Sequence, residues 1–209
     1  MKKRYCLCWS EGQCCLSNQI FMEQTGIKVR EAVAADAPLV GRVVLMALHY
    51  DETHPLASIF AELAAREVSQ YSYRNALVAE VDGKTVGAII GYDGARLGEL
   101  RKPLYELMVA KFGCVRPVED ETSAGEFYVD SIAVMPQWRG RGVGGVLLSA
   151  ARDRAFAAGH ERVGLIVDFD NPRAEALYAS IGFKRVNPTT FLGHDMWHMQ
   201  MVKKINIEL

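Results

Sequence analysis

The stretch Pro136–Ala155, PQWRGRGVGGVLLSAARDRA, carries two opposed signals. Its second half is rich in Ala, Leu and Arg and is a strong helix former. Its first half holds four glycines, Gly140, Gly142, Gly144 and Gly145, with Arg139 and Arg141 beside them. A glycine inside a helix costs about 1 kcal/mol relative to alanine, so glycines at the mouth of a good helix need a reason. Anion binding supplies one. The first N–H groups of a helix lack intrahelical partners and sit at the positive end of its dipole. Glycines leave no Cβ to hold phosphate oxygens away from them. Neighbouring guanidinium groups add charge-assisted hydrogen bonds.

Two familiar phosphate loops fit poorly. A P-loop needs a lysine and a hydroxyl directly after its last glycine, but Val146 and Leu147 follow Gly145. Gly140-x-Gly142-x-x-Gly145 matches the dinucleotide pattern, and Asp168 stands where a ribose-binding acid belongs. That pattern, however, has its first glycine directly after a strand, whereas MPQWR separates Val134 from Gly140. An NAD-binding dehydrogenase is therefore kept only as an alternative.

Outward from this stretch the chain is clearly patterned. EFYVDSIAVM precedes it as a strand, Gly142–Ala158 forms the helix, and RVGLIVDF is the next strand. The helix is long enough to cross between two parallel strands. A shorter helix, Arg173–Ile181, ends at Gly182, and FKRV with DMWHMQMV closes as an antiparallel pair. Upstream, Ile27–Val33 alternates as a strand, Asp36 is placed to cap a helix over APLVGRVVLMAL, and a second helix covers Pro55–Val68. Asp82-Gly83 is the turn of a hairpin. LGELRKPLYELMVAKFG reads as a helix broken near Pro103, followed by the acidic loop RPVEDETSAG, where contact with a cationic substrate is one use of the charge. The expected order is β-α-α-β-β-β-α-β-α-β-β, one mixed α/β sheet with helices on both faces.

Lys+Arg (24) and Asp+Glu (25) nearly cancel, which argues against bulk nucleic-acid binding or an anionic membrane partner. No apolar run reaches the roughly 20 residues that span a bilayer. The basic start MKKR is not followed by a sustained apolar run, so the expected location is cytoplasmic. Four of the five cysteines, Cys6, Cys8, Cys14 and Cys15, crowd the N-terminus with spacing unsuited to zinc. Residues 1–26 are expected to be a poorly ordered extension with free thiols, Met22 being a plausible alternative start, and residues 27–209 a single domain.

Arg139-Gly-Arg-Gly142-Val-Gly144 matches R-x-x-G-x-G, and the chain here resembles the GNAT superfamily of N-acetyltransferases, whose acyl-CoA diphosphate loop has that form. The segment Asn171 to Phe183 resembles the family pattern N-x-x-A-x-x-L-Y-x-x-x-G-F, and VDSIAVMPQWRG resembles its fourth strand entering the loop. The resemblance is close over about Glu126–Val186; the N-terminal half agrees only in element order. It implies splayed parallel strands 4 and 5, with acetyl-CoA as co-substrate and no metal. It also implies an acceptor that is a primary amine of a small molecule or peptide, and a homodimer as one possible assembly. By the same resemblance Arg139, Gly140, Arg141, Gly142, Val143 and Gly144 hold the diphosphate, the backbones of Ile132 and Val134 pair with the pantetheine arm, and Asn171 contacts that arm or caps its helix. Tyr178 is the implied proton donor to the departing thiolate. An ammonium acceptor must lose a proton, for which Asp130 is the first candidate and Glu126 the second. Strand alternation places Glu126, Tyr128, Asp130, Ile132 and Val134 on one face. His194, His198 and Asp195 form a conceivable metal cluster, but ordinary sheet residues are the preferred reading. His49, Tyr50, Asp51 and His54 are candidate acceptor contacts. A non-catalytic acyl-CoA-binding module is the main alternative to an enzyme.

Overall fold

The computed structural model describes residues 26–114 and 117–204; the cysteine-rich N-terminal stretch lies outside them. The described residues form one seven-stranded sheet in the order β1-β2-β3-β4-β5-β7-β6. In chain order the elements are β1 (Ile27–Glu31), α1 (Ala37–Ala47), α2 (Ala57–Ala65), β2 (Ala76–Val81), β3 (Lys84–Asp93) and α3 (Leu97–Phe112). They continue with β4 (Phe127–Val134), α4 (Val143–Ala157), β5 (Arg162–Asp168), α5 (Pro172–Ile181), β6 (Lys184–Phe191) and β7 (His194–Val202). The expected order holds, and the stretch read as a helix broken near Pro103 is one continuous helix, α3, between the third and fourth strands.

Local chemistry accounts for most of these elements. Asp82 and Gly83 both take positive φ, 51° and 72°, as a tight hairpin requires. Asp36 does not cap α1 through its side chain. Its carboxylate instead accepts from the Val33 N–H at 2.8 Å and pairs with Arg30, and this charged partner outcompetes the helix terminus. Pro103 lies inside α3 without breaking it. Proline in a helix interior costs about 3 kcal/mol. Burial of Leu97 and Leu100, each about 1.5–3 kcal/mol, and the ion pair of Arg101 with Glu121 offset that cost.

The sheet has a core on each face. On one, α4 packs with Leu77, Ile89, Phe127, Val129 and Leu165. On the other, α1 and α2 cover Val78, Ala88 and Ile90, and a small group of Tyr92, Leu97, Leu100 and Tyr128 lies under α3. All neighbouring strands are antiparallel except β4 and β5, which are parallel and paired only at Phe127↔Val163 and Tyr128↔Gly164. Beyond those positions β5 stays paired with β7 as far as Asp168, while β4 stays paired with β3 as far as Val134. The sheet is therefore split between β4 and β5 along most of their length.

Strand β4 does not alternate as expected. Its register with β3 slips between Ile90↔Ser131 and Gly91↔Val129, leaving Asp130 as the extra residue of a β-bulge. Phe127 and Val129 pack in the α4-side core, and so do Ile132 and Val134, while Ala133 packs on the opposite side. Ile132 and Val134 thus share a face with Phe127 and Val129, not with Tyr128 and Asp130. A one-residue insertion reverses side-chain parity downstream, and nothing in EFYVDSIAVM announces it.

Candidate active site

The glycine-rich loop turns into α4 through Gly140 and Gly142, both at positive φ, 75° and 83°. A Cβ added at either residue would meet nothing within 4 Å, so the space above the helix mouth is open. The first backbone bond of the turn runs from the Val146 N–H to the Gly142 carbonyl at 3.1 Å. The N–H groups of Gly142, Val143, Gly144 and Gly145 ahead of it bond to none of the described residues, and no side chain caps the helix. This is an anion-ready helix terminus. Val143 and Gly144 also serve packing: Val143 is buried, and a Cβ on Gly144 would lie 3.5 Å from Leu177 of α5. The two arginines have protein partners of their own. Arg139 Nε donates to the Val134 carbonyl at 3.0 Å, and the Arg141 guanidinium lies 4.8 Å over the Trp138 ring.

The opening of the split lies beside this loop. Met135 N–H bonds to the Val86 carbonyl of β3, so alternation turns the main-chain groups of Val134 and Ile132 to the opposite edge, facing β5. Among the described residues no strand pairs with that edge there. An extended ligand can pair with it by strand addition, with the Val134 carbonyl already engaged by Arg139.

Asp130 is half-buried on the α3 side of the split and sits in a network no short motif reports. Its Oδ2 accepts from Gln70 Nε2 and from the Tyr92 hydroxyl, each at 2.8 Å, and its Oδ1 accepts from Ser131 Oγ at 2.8 Å. Gln70 Nε2 also donates to Glu121 Oε1 at 2.9 Å, and Glu121 is ion-paired with the buried Arg101. Burial raises the Asp130 carboxyl above the usual carboxylate range despite these donors. Burial, and then the nearby Asp130 charge, push Glu121 up to about 7. Gln70, Tyr92, Arg101 and Glu121 escaped the sequence reading. The only signal was the acidic run 119–121, which looks like any solvated loop.

The second carboxylate, Glu126, is engaged elsewhere. It accepts from Thr122 Oγ1 at 2.6 Å and Gln200 Nε2 at 2.7 Å, and His198 Nε2 lies 3.0 Å away. Although burial opposes it, these bonds hold Glu126 below its ordinary range. The carboxylate reaches across β5 only because residue 164 is glycine; a Cβ there would overlap it. His194 lies 3.4 Å from Asp168, so the two β7 histidines serve different carboxylates.

Tyr178 packs against the α4-side core, so it flanks the split from the face opposite Asp130. Burial raises its hydroxyl to about 12. Asn171 caps α5, its Oδ1 accepting from the Ala174 N–H at 3.1 Å, which leaves its amide N–H groups for a ligand. Near the loop, Tyr50 and Asp51 line a cavity of about 520 Å³ with Arg42, Met46, Pro136 and Arg139. His54 stacks on Tyr50 with ring centroids 3.8 Å apart, while His49 ends α1 at φ 60°.

A mixed sheet split at its one parallel pair, with a bare helix terminus at the mouth of the split, defines the class of acetyltransferase that the sequence motifs resemble. A family model for the acetyltransferase (GNAT) family matches residues 45–183, and the chain belongs to that family. It is 30% identical over 109 residues to an L-2,4-diaminobutyric acid acetyltransferase of Nocardia farcinica (strain IFM 10152), covering 52% of this chain and 43% of the relative. A mycothiol acetyltransferase of Corynebacterium aurimucosum is 42% identical over 65 residues, 31% of this chain and 21% of the relative. The matches thus span less than half the length of these curated relatives. Among solved structures, one described as an acetyltransferase superposes with a TM-score of 0.71 at 37% identity, covering 84% of this chain and 98% of that one. An N-acetyltransferase of Staphylococcus aureus Mu50, at 23% identity and a TM-score of 0.68, shares the fold over 83% of this chain and all (100%) of that one.

Proposed function

We propose that this protein transfers an acetyl group from acetyl-CoA to a primary amine by direct attack in a ternary complex. One observation carries the proposal: unpartnered amides at a glycine-lined helix mouth stand beside a sheet edge with no strand to pair with. A diphosphate suits the first and an extended pantetheine arm the second. In this reading Gly142 to Gly145 hold the diphosphate with their N–H groups, Arg139 and Arg141 edge it, and Ile132 and Val134 hold the arm. The Val134 N–H is available to the thioester carbonyl and to the oxyanion that develops on attack. Asn171 contributes its free amide hydrogens.

Asp130 accepts the proton that an alkylammonium, with a pKa near 10.4, must lose before it can attack. The amine nitrogen then bonds to the carbonyl carbon, the C–S bond breaks, and the thiolate takes up a proton. Tyr178, held protonated by burial, faces that leaving group. Because a phenol raised to about 12 is a weak acid and a thiolate of pKa about 8.5 leaves readily, its help is modest. Glu126, saturated by three partners, is assigned to holding β4 against β7.

Isothermal titration with acetyl-CoA, followed by thiol release in the presence of a panel of primary amines, tests the proposal. Binding and turnover support it. Binding without turnover on any amine favours an acyl-CoA-binding module, and no binding sinks the reading.

A further inference from the structure

We propose that Asp130 and Glu121 act together as one proton acceptor, with Glu121 as the residue that positions and tunes Asp130. The inference rests on the acetyl-transfer reading above and adds to it a partner that no motif supplies.

The geometry joins the two carboxylates through common donors. Gln70 Nε2 lies 2.8 Å from Asp130 Oδ2 and 2.9 Å from Glu121 Oε1. The Tyr92 hydroxyl lies 2.8 Å and 3.5 Å from the same two oxygens. Two acceptor oxygens facing the same two donors are held close together. One cation serves them: Arg101 pairs with Glu121 and shares itself with Asp120. The groups facing the pair are Arg101 from α3, itself held also by Asp120, Tyr71 from the segment before β2, Tyr92 from β3 and Tyr128 from β4. Burial raises the hydroxyls of Tyr71, Tyr92 and Tyr128 well above their ordinary value, so these stay neutral. Two carboxylates facing a single guanidinium in a buried site leave one negative charge uncompensated, and a proton neutralises it.

The division of labour follows from burial. Asp130 keeps a small exposed part, whereas the Glu121 side chain is only 3% exposed. Buried Gln70 Oε1 has no hydrogen-bond partner among the described residues, an acceptor left unsatisfied within the cluster. A lone exposed carboxyl, titrating near 4, is a poor acceptor for an ammonium proton; a pair whose last proton leaves near neutrality is a better one. The steps balance. The ionised pair takes one proton from R–NH3+. The freed amine forms the C–N bond as C–S breaks, Tyr178 gives the thiolate a proton and recovers one as the nitrogen sheds its second, and the pair returns its proton to solvent.

The test is a carboxyl titration by carbon NMR on the full chain labelled with 13C at the Asp and Glu side-chain carboxyls, so no acceptor is needed. In the wild type one carboxyl is expected to titrate close to pH 7. In Asp130→Asn that titration should move down by about 1–3 pH units, because the like charge is gone. Tyr92→Phe, which only removes a donor to the charged form, should move it up. A wild type with no carboxyl titrating above pH 6, or a titration unmoved in Asp130→Asn, overturns the pair. Acetyl-CoA calorimetry on the same samples separates the two ideas. Intact binding with a flat titration sinks the pair alone. The expected titration without acetyl-CoA binding sinks the transfer reading and, with it, the role given to the pair.

Discussion

The glycine loop and the carboxylate cluster face the same split and are built on opposite principles. The loop is open: among the described residues nothing lies within 4 Å of a Cβ built on Gly140 or Gly142, and the first amides of α4 have no partners. It uses consecutive backbone atoms, so a short run of residues encodes it. The cluster is closed: Gln70, Tyr92, Arg101, Glu121 and Asp130 come from five separate segments and satisfy nearly all their polar groups on one another. A ligand that arrives as an anion can be met by bare N–H groups. A proton acceptor must instead be desolvated and charge-tuned, which takes tertiary burial. The proposed function thus places binding where the chain is locally simple, and proton chemistry where it is globally assembled.

Substitutions can break that contrast, beginning with the largest effect. Gly142→Glu puts a carboxylate against the diphosphate and forces a side chain onto φ 83°; acetyl-CoA affinity by calorimetry should fall by at least about 100-fold. Unchanged affinity would remove the loop from the site. Asp130→Asn should lower thiol release with an active amine by about 10²–10⁴-fold while acetyl-CoA affinity stays within about twofold. A comparable loss of affinity would erase the distinction between the two regions. Arg101→Ala leaves Glu121 buried without its cation and should cost about 3 kcal/mol at pH 8 in denaturant unfolding. The loss should be smaller at pH 5, where Glu121 escapes by protonating; a pH-independent loss would mean that Arg101 contributes packing alone. Tyr178→Phe should lower the rate by about tenfold, since the leaving thiolate needs little help.

Glu126→Gln sharpens the contrast between Asp130 of β4 and the acid just before that strand. The wild-type carboxyl is held low, so its stabilising contribution is present above the unfolded value near 4.5 and is lost as pH falls through the folded one. The variant should therefore be less stable by about 1–2 kcal/mol at pH 7 in thermal melts, and the difference should shrink as the pH is lowered below the unfolded value. Glu121 behaves in the opposite sense. Its raised pKa makes the fold relatively more stable below about 4.5 and progressively less so as pH rises through about 7.

Much of this was legible from the residues in order. The Asp82-Gly83 hairpin, the α4 crossover, the Asn171 cap and the glycine-opened helix each depend on atoms close in sequence, and each stands where the chain's own pattern puts it. Pro103 misled, because the local cost of proline is visible in a sequence and the burial of Leu97, Leu100 and Arg101 that outweighs it is not. Strand β4 misled for a related reason. Its bulge is a property of the pairing with β3, so a reading of one strand assigns Ile132 and Val134 to the wrong face.

What the amino-acid order determined by itself was the family, the mixed sheet and the glycine-lined helix mouth to which the proposed function assigns the diphosphate, because these rest on backbone geometry repeated over a few neighbouring residues. Tertiary structure alone decided the surroundings of the two acids between which the proposal chooses. Asp130 and Glu126 look equivalent along the strand. One meets Tyr92, Ser131 and the Gln70 amide nitrogen that it shares with Glu121, and the other meets Thr122, His198 and Gln200. Charge and desolvation act through space, and segments dozens of residues apart become neighbours only once the chain has folded.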